Sequence, residues 1–511
     1  MTNYIIRRLL LMIPTIIGIT FLVFFLIAMS PGGIGASLQV AGGNMTSANS
    51  IAVTRAKLED RYGLNEPWPV QYVRWFTRIN PIKFGQRDLV KPDGELVSRP
   101  REIARPPAWN WFAETLPEPT PLDKSAINST FRDAPDAERA AAFARLEREY
   151  VNARSAAVAD EALLRDALKR YIEGEFPRGQ WGNYISGDKL RVGRVAGLTP
   201  NKSSPVWQEL SRLGPAAITS WAAAVEVRQR LVAAMASEPF PGAGLAIIPG
   251  VLSVAPPDLG VAFSTGKPVA SLIADHLPVT LLLNLVAFPI IYFIAVPCGV
   301  LAAVRKGTWA DTGLGGIFIG LYSVPVVLAG VLLLGYLATP EHLNLFPTAG
   351  RFSKDADSMT FWPSDGSPGY VVDALWHMVL PVACLVYGGF AVLSKQARAA
   401  MLENLSADYV RTAKAKGVAP GDVLLAHVFR NSLLPLITMF VTIFPAMLAG
   451  SVVIERIFSV PGMGSLLIDA INQRDRELIL ANTTIIACVN LMALLLADIL
   501  YAAADPRITY K

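Results

Sequence analysis

Six stretches of the chain are apolar for the length of a membrane crossing. Residues 9–29, 279–304, 313–340, 431–454 and 478–497 contain no Asp, Glu, Lys, Arg or His, and 374–394 contains only His377. A bilayer core needs about 20 such residues, because each backbone amide inside it has to be bonded within a helix. Each stretch therefore predicts a transmembrane helix. Prolines inside them (Pro14, Pro289, Pro297, Pro325, Pro381, Pro435, Pro445) predict kinks, which neighbouring spans can tolerate by satisfying the freed carbonyls.

Basic residues in short loops are retained on the cytoplasmic side, so loop charge gives orientation. With the N-terminus inside, segments 1–8, 305–311, 395–430 and 503–511 hold 12 Lys/Arg against 5 Asp/Glu, whereas 338–373 and 455–477 hold 5 against 9. This bias predicts both termini inside and residues 31–278 extracytoplasmic. A cleaved signal peptide is the competing reading of the first stretch, on Arg7-Arg8 and Ala28-Met29-Ser30. Its apolar run is longer than a signal h-region and Pro31 follows the candidate cut, so retention as a span is expected.

Between the first two stretches the pattern changes. Residues 30–278 carry 29 Lys/Arg and 26 Asp/Glu without a membrane-length apolar run. One helix is predicted to open near Asp133, with Pro135, Asp136 and Glu138 in its first turn, and to bury Phe143, Leu146, Tyr150, Leu164, Leu168 and Ile172. A second is predicted from Ser204-Pro205, resuming beyond Gly214-Pro215 toward Met235, with Trp221, Val225 and Leu231 inward. Pro-rich connectors at 99–100, 106–107, 117–121, 239–241 and 256–257 read as boundaries. The division expected is 1–30 (first transmembrane helix), 31–79 (extracytoplasmic segment), 80–255 (a mainly helical extracytoplasmic insertion) and 256–511 (five further helices).

Composition narrows the chemistry. With 52% apolar residues, mean hydropathy +0.39 and 17% charged residues, the chain is neither an ordinary soluble protein nor disordered, and its net charge of +5 is too diffuse for nucleic acid. Cys298, Cys384 and Cys488 lie in apolar runs, as small packed hydrophobes do. There is no phosphate-binding glycine loop: between Gly260 and Gly266 five residues intervene, and Pro268 stands where the hydroxyl would be. His276, His342, His377 and His427 lack metal-ligand spacing. His377, near a span end, is expected at the interface. Polar residues within spans, Asn284, Tyr322, Thr438, Thr442, Asn482 and Asn490, either line a pathway or bond helix to helix.

The longest inside loop, 395–430, holds six Lys/Arg and a run of helix formers ending in glycine, Asp408-Tyr-Val-Arg-Thr-Ala-Lys-Ala-Lys-Gly417. A short amphipathic helix is predicted there, either anchoring to headgroups or docking a soluble partner. The run from Tyr409 to Gly417, followed by His427-Val-Phe-Arg-Asn-Ser-Leu-Leu-Pro435, resembles the coupling loop of ABC importer permeases of the peptide/nickel type. Other motifs agree in order: Tyr4-Ile-Ile-Arg-Arg8 with a span ending in Ser30-Pro31-Gly32, Tyr62-Gly-Leu64, Pro69-Val-Gln-Tyr72, Asp258-Leu-Gly260, Pro347-Thr-Ala-Gly350, Phe458-Ser-Val-Pro-Gly-Met-Gly464 and Asp505-Pro-Arg507. They resemble the B-type subunit and cover about 1–80 and 256–511. Where the broad importer pattern begins Glu-Ala-Ala, Arg411-Thr412-Ala413 stands here, and the Gly417-to-Pro435 interval is longer; both features are shared by the peptide/nickel branch. The block 80–255 has no counterpart in the pattern.

The resemblance implies an all-α polytopic membrane protein with six transmembrane helices of the type I ABC importer permease kind, in a bacterial plasma (inner) membrane. It implies a permease subunit carrying peptides or similar small solutes, not an enzyme, with no cofactor of its own and ATP and Mg on partner subunits. The implied partners are a second permease subunit, two cytoplasmic ATPase subunits, an extracytoplasmic solute-binding protein and the lipid bilayer. Tyr409, Arg411, Thr412, Ala413, Lys414, Lys416, Gly417, Arg430, Asn431 and Pro435 are the implied ATPase-coupling residues. Glu455, Phe458, Pro461, Gly462 and Gly464 are the implied binding-protein contact. Two rival classes remain, a secondary transporter and a membrane sensor using 80–255 for its ligand; charge-free spans disfavour the first and the lack of a sizeable cytoplasmic output segment the second.

Overall fold

The computed structural model describes residues 2–30, 62–63, 66–85, 87–92, 94, 96–97, 99–186, 189–363 and 369–504, with side chains apart from those of 2–3, 124, 186, 189, 357, 440–451 and 501–504. Pro31, Gly32, Leu64 and the Asp505-Pro-Arg507 motif lie outside the described residues. The chain divides into two units, Met1–Ser30 with Leu259–Lys511, and Pro31–Asp258. The first helix, α1 (Thr2–Met29), belongs to the former. Most of its side chains are exposed, as suits a helix whose surroundings are lipid, but Phe24 is buried.

The charged unit is built on two long helices. α2 (Asp136–Glu175) starts behind Pro135 with Asp136 and Glu138 in its first turn, and α3 (Trp207–Ala236) packs along it. Phe143, Leu146 and Tyr150 of α2 meet Leu231 of α3 in one apolar cluster, to which Trp221 and Val225 add partly buried surface. Leu164, Leu168 and Ile172 meet Leu210 and Leu213 in a second. The start at Ser204 is displaced: Ser204 accepts from the Trp207 amide in a turn, and the helix proper begins three residues later. The expected interruption at Gly214-Pro215 is absent, since Pro215 lies inside a continuous helix. Packing overrides the proline here: the Phe112 ring stacks on Trp207 and lies so close over Gly214 that a Cβ there has no space.

Strands were not anticipated in this unit, yet β1 (Ile82–Phe84), β2 (Leu245–Ile248) and β3 (Leu252–Val254) form an antiparallel sheet in the order β1-β3-β2. Ile82 pairs with Val254 and Phe84 with Leu252; Leu245 pairs with Val254 across the hairpin. Below the sheet the Ala255 amide donates to Pro81 and the Asp258 amide to Arg78. The chain thus enters and leaves the stretch 82–254 side by side.

The remaining helices are α4 (Val269–Val304), α5 (Trp309–Ser323), α6 (Val326–Leu333, continued by a π turn Leu334–Ala338), α7 (Gly369–Leu405), α8 (Asp408–Ala415), α9 (Arg430–Ile457), α10 (Met463–Asn472) and α11 (Arg476–Ala504). Five of the six apolar stretches fall within the single helices α1, α4, α7, α9 and α11. The sixth, 313–340, is broken: α5 and α6 meet at an 88° bend. Val324 is extended (ψ 119°) because Pro325 disfavours helical geometry in the residue before it, and the Val324 carbonyl accepts from the Tyr387 hydroxyl at 3.0 Å instead. Pro14, Pro289, Pro297 and Pro381 lie inside continuous helices.

The helices pack in a series, α4 on α7, α7 on α9, α9 on α11 and α11 on α1. Small residues set the closest approach, as is usual where no hydrophobic force drives helices together. A Cβ on Gly299 of α4 would stand 2.6 Å from the Ala397 Cβ and the Ser394 carbonyl of α7. Gly299→Val should therefore cost about 1–3 kcal/mol, read as a lowered thermal midpoint of the purified protein. Gly316→Val, which meets nothing within 4 Å, should leave it unchanged.

Candidate coupling surface and a buried carboxylate

α8 is eight residues long, and its two sides differ sharply. Val410 and Ala413, three apart, are buried against Ala303, Met401, Val423 and Val428. Tyr409, Arg411, Thr412, Lys414, Lys416 and Gly417 are all exposed. The end of α8 is fixed by its backbone: the Gly417 amide donates to Lys414 and the Val418 amide to Ala413, the paired bonds of a Schellman stop. Gly417 has φ +79°, which only glycine adopts cheaply. Lys414 in the last turn complements the helix dipole. Arg411 stands 3.6 Å from Asp408, but both are too exposed for that pair to hold either in place.

Polar side chains fasten α8 to the helices on either side of it in sequence. The Tyr409 hydroxyl donates to Asn404 Oδ1 at 2.6 Å, and Asn404 Nδ2 donates to the Ala400 carbonyl and to Ser432 Oγ at 3.1 Å. Ser432, fully buried, donates in turn to Val428 at 2.9 Å. The network runs from α8 through the end of α7 into the start of α9. Between α8 and α9, Val423–Phe429 takes π-helical bonding. Arg430 and Asn431 are exposed on the first turn of α9, and Pro435 is half-buried. Near the same end Arg398 of α7 makes a two-pronged bond to Asp311 of α5 (2.6 and 2.8 Å), and Arg8 of α1 pairs with Asp498 of α11 at 2.9 Å.

The second set of predicted residues lies at the other end of α9. Pro461 is exposed, whereas Glu455, Phe458, Gly462 and Gly464 are buried, Glu455 completely. The Glu455 carboxylate accepts from Thr280 Oγ1 of α4 and from the Ser465 amide of α10, each at 2.8 Å. Thr280 Oγ1 accepts from the Met463 amide, and Asn482 of α11 donates to the Met463 carbonyl at 3.0 Å. Gly462 and Gly464 press on the carboxylate so closely that a Cβ at either would collide with it. Four helices thus meet at one acid, and any contact with an outside partner through this motif is left to Pro461 and its neighbours.

A second carboxylate closes the same region. Asp475, also fully buried, accepts from the amide and hydroxyl of Ser264 at 2.9 and 3.0 Å. Burial pushes its carboxyl above the ordinary range, against the pull of the bonds from Ser264 and Leu478. His377, expected at an interface, is buried, with Nδ1 2.9 Å from the Asp373 carbonyl; Asp373 itself accepts from Ser353. Asn284 bonds the Thr280 carbonyl through Nδ2, and its Oδ1 has no partner, as is true of Asn482 Oδ1 and Asn490 Oδ1. Tyr322 is exposed, Thr438 bonds back to Leu434, and the Thr442 side chain is outside the described residues. Among the described residues no three His, Cys, Asp or Glu groups converge as metal ligands.

Asn404, Ser432, Thr280 and Ser465 were not singled out from the sequence. Ser432 does stand beside Asn431 in the loop motif, but a lone hydroxyl in an apolar run has no period to reveal its partner.

Residues 295–510 match the family described as "Binding-protein-dependent transport system inner membrane component". The chain is 40% identical over 246 residues to the oligopeptide transport system permease protein AppB of Bacillus subtilis (strain 168), covering 48% of this chain and 73% of that protein. It is 34% identical over 267 residues to the dipeptide transport system permease protein DppB of Escherichia coli (strain K12), covering 50% and 77%. It is 36% identical over 253 residues to a putative peptide transport system permease protein of Brucella abortus (strain 2308), covering 50% and 76%.

Glu455→Ala should cost about 1–3 kcal/mol by leaving the Thr280 hydroxyl and the Ser465 amide without an acceptor. Glu455→Gln, which keeps one acceptor oxygen, should cost less, and thermal unfolding of the two variants measures the difference. Asp475 has the opposite pH sign from a paired surface acid: its folded-state pKa is raised, so its contribution is full at acid pH and declines as pH rises through that pKa. Asp475→Asn should flatten the thermal midpoint against pH above the ordinary carboxylate range.

Proposed function

The chain belongs to the family of binding-protein-dependent transport system inner membrane components and is a permease subunit of such an importer, and from that premise we propose that it carries peptides, coupled through the exposed face of α8 to ATP hydrolysis on separate subunits. The observation that carries the coupling role is the two-sided character of α8. Its apolar side is used up inside the protein, while Tyr409, Arg411, Thr412, Lys414 and Lys416 face outward from a helix stopped by Gly417. Such a helix fits a groove on a soluble partner, to which its cations offer charge-assisted bonds.

In this reading two ATPase subunits hold ATP and Mg, a second permease subunit completes the pathway, and a solute-binding protein delivers substrate on the far side. The Tyr409–Asn404–Ser432 network supports it physically, because a push on α8 reaches α7 and α9 without slack. Closure of the ATPases then rocks whole helices rather than deforming them. Both termini and α8 lie on the cytoplasmic side by the loop charge bias, and 31–278 on the other. Peptides are chosen because the relatives named for oligopeptide and dipeptide transport are 40% and 34% identical. The stretch 82–254, with its paired entry and exit strands, is read as an accessory block added to the transport core.

Arg411→Glu with Lys414→Glu reverses charge on the exposed face without touching the buried one. Co-purified ATPase should fall several-fold while the thermal midpoint stays that of the unaltered protein, and Gly417→Pro should also lose the ATPases by breaking the stop. Unchanged ATPase recovery with the reversed charges would sink the coupling assignment.

A further inference from the structure

Exposed apolar side chains in the unit Pro31–Asp258 are segregated along the chain. Ten large ones are exposed among its described residues: Val70, Val73, Ile82, Phe84, Leu163, Leu245, Ile247, Ile248, Val251 and Val254. Nine of the ten fall in two short segments, 68–84 and 245–254, and only Leu163 lies in the long stretch between. These segments adjoin the unit's covalent connection to α4: β3 ends at Val254 and α4 begins at Val269, and β1 lies directly beside β3.

The sheet concentrates this exposure on one face. Antiparallel partners share a face, so Ile82, Val254 and Leu245 stand together, as do Phe84, Leu252 and Ile248. All six are apolar, and Phe84 and Leu245 are 78% and 73% exposed. The opposite face carries Lys83, Ser253 and Ala246, with Ser253 buried. The hairpin tip continues the apolar face: Ile247, Pro249, Gly250 and Val251 contain no polar side chain, where a turn in water is normally polar.

Composition and chain continuity identify what this face meets. Segment 245–254 contains no ionisable residue, and 14 residues separate its end at Val254 from the start of the membrane-length helix α4 at Val269. In the helix Trp68–Ile79 that leads into β1, Val70 and Val73 are exposed while Tyr72 and Trp75 are buried inside the unit. An exposed apolar face and turn tip without ionisable groups, a short connection away from a membrane-length helix, suit the apolar boundary of a bilayer. We propose that the β1-β3-β2 sheet face and the 247–251 hairpin tip are a membrane-contact surface, seated in the headgroup region of the leaflet beside this unit. The contact holds the accessory block against the bilayer surface and is independent of which solute is carried.

The experiment uses the full chain, with Cys298, Cys384 and Cys488 replaced by Ala, in nanodiscs of phosphatidylethanolamine and phosphatidylglycerol. A nitroxide is placed singly at Ile248 and at Phe84, with Leu22 of α1 as lipid reference and Lys202 as water reference, both exposed positions. Power saturation against oxygen and a water-soluble nickel chelate then separates three surroundings. Expected at both positions is oxygen accessibility close to that of Leu22 and nickel accessibility several-fold below that of Lys202. Nickel accessibility equal to that of Lys202 overturns the proposal, because the face is then in water. Low accessibility to both reagents overturns it equally, because the face is then covered by protein: residues 31–61, a second copy or a soluble partner. Two labelled positions guard against a local disturbance at either one.

Discussion

A backbone amide in hydrocarbon has no water to fall back on, so a span bends only where another group takes the freed carbonyl, as Tyr387 does at Val324. Motion has to pass through whole helices, and the fastenings at their ends decide which helices move together. The polar side chains of the transport unit are placed accordingly. At one end Asp311–Arg398 joins α5 to α7, Arg8–Asp498 joins α1 to α11, and Tyr409, Asn404 and Ser432 join α8 to α7 and α9. At the other, Glu455 collects α4, α9 and α10 and, through Met463, α11. Between the two ends the contacts are largely apolar and small, as at Gly299 and at Gly389 against Ile291.

Burying Glu455 is expensive unless every lone pair that matters is met, and the surrounding sequence meets that demand with backbone as much as with side chains. Glycine at 462 and 464 lets α10 approach close enough for its amide to reach the carboxylate. That gives the acid and the two glycines of the motif a packing reason to occur together.

Much of this was legible in the sequence because periodicity and charge are local. Five of the six spans, the buried faces of α2 and the Gly417 stop follow from spacing and composition alone. What stayed hidden depends on partners far apart in the chain. Pro325 looked like the prolines at 289, 297 and 381, yet it alone of these breaks its span, where Tyr387 stands ready to take the freed carbonyl. Pro215 looked like a break and is none, because Phe112 and Trp207 hold that turn. The strands are only three or four residues long, too short for the alternation in Ile82-Lys83-Phe84 and Leu252-Ser253-Val254 to stand out, so Ile82 and Val254 could not be matched by eye. The exposed face of α8 was readable, but its fastening through Asn404 to Ser432 was not, since hydroxyls in apolar runs more often bond their own helix.

The pairing of Ile82 with Val254 has a bearing on how this chain is organised as a length of polymer. Residues paired across an antiparallel ladder are about 5 Å apart, which a two-residue hairpin can join. The roughly 170 residues between them therefore add no distance that the rest of the chain has to bridge. The ladder closes this length of chain on itself, so the two ends lie as near to each other as those of a tight turn.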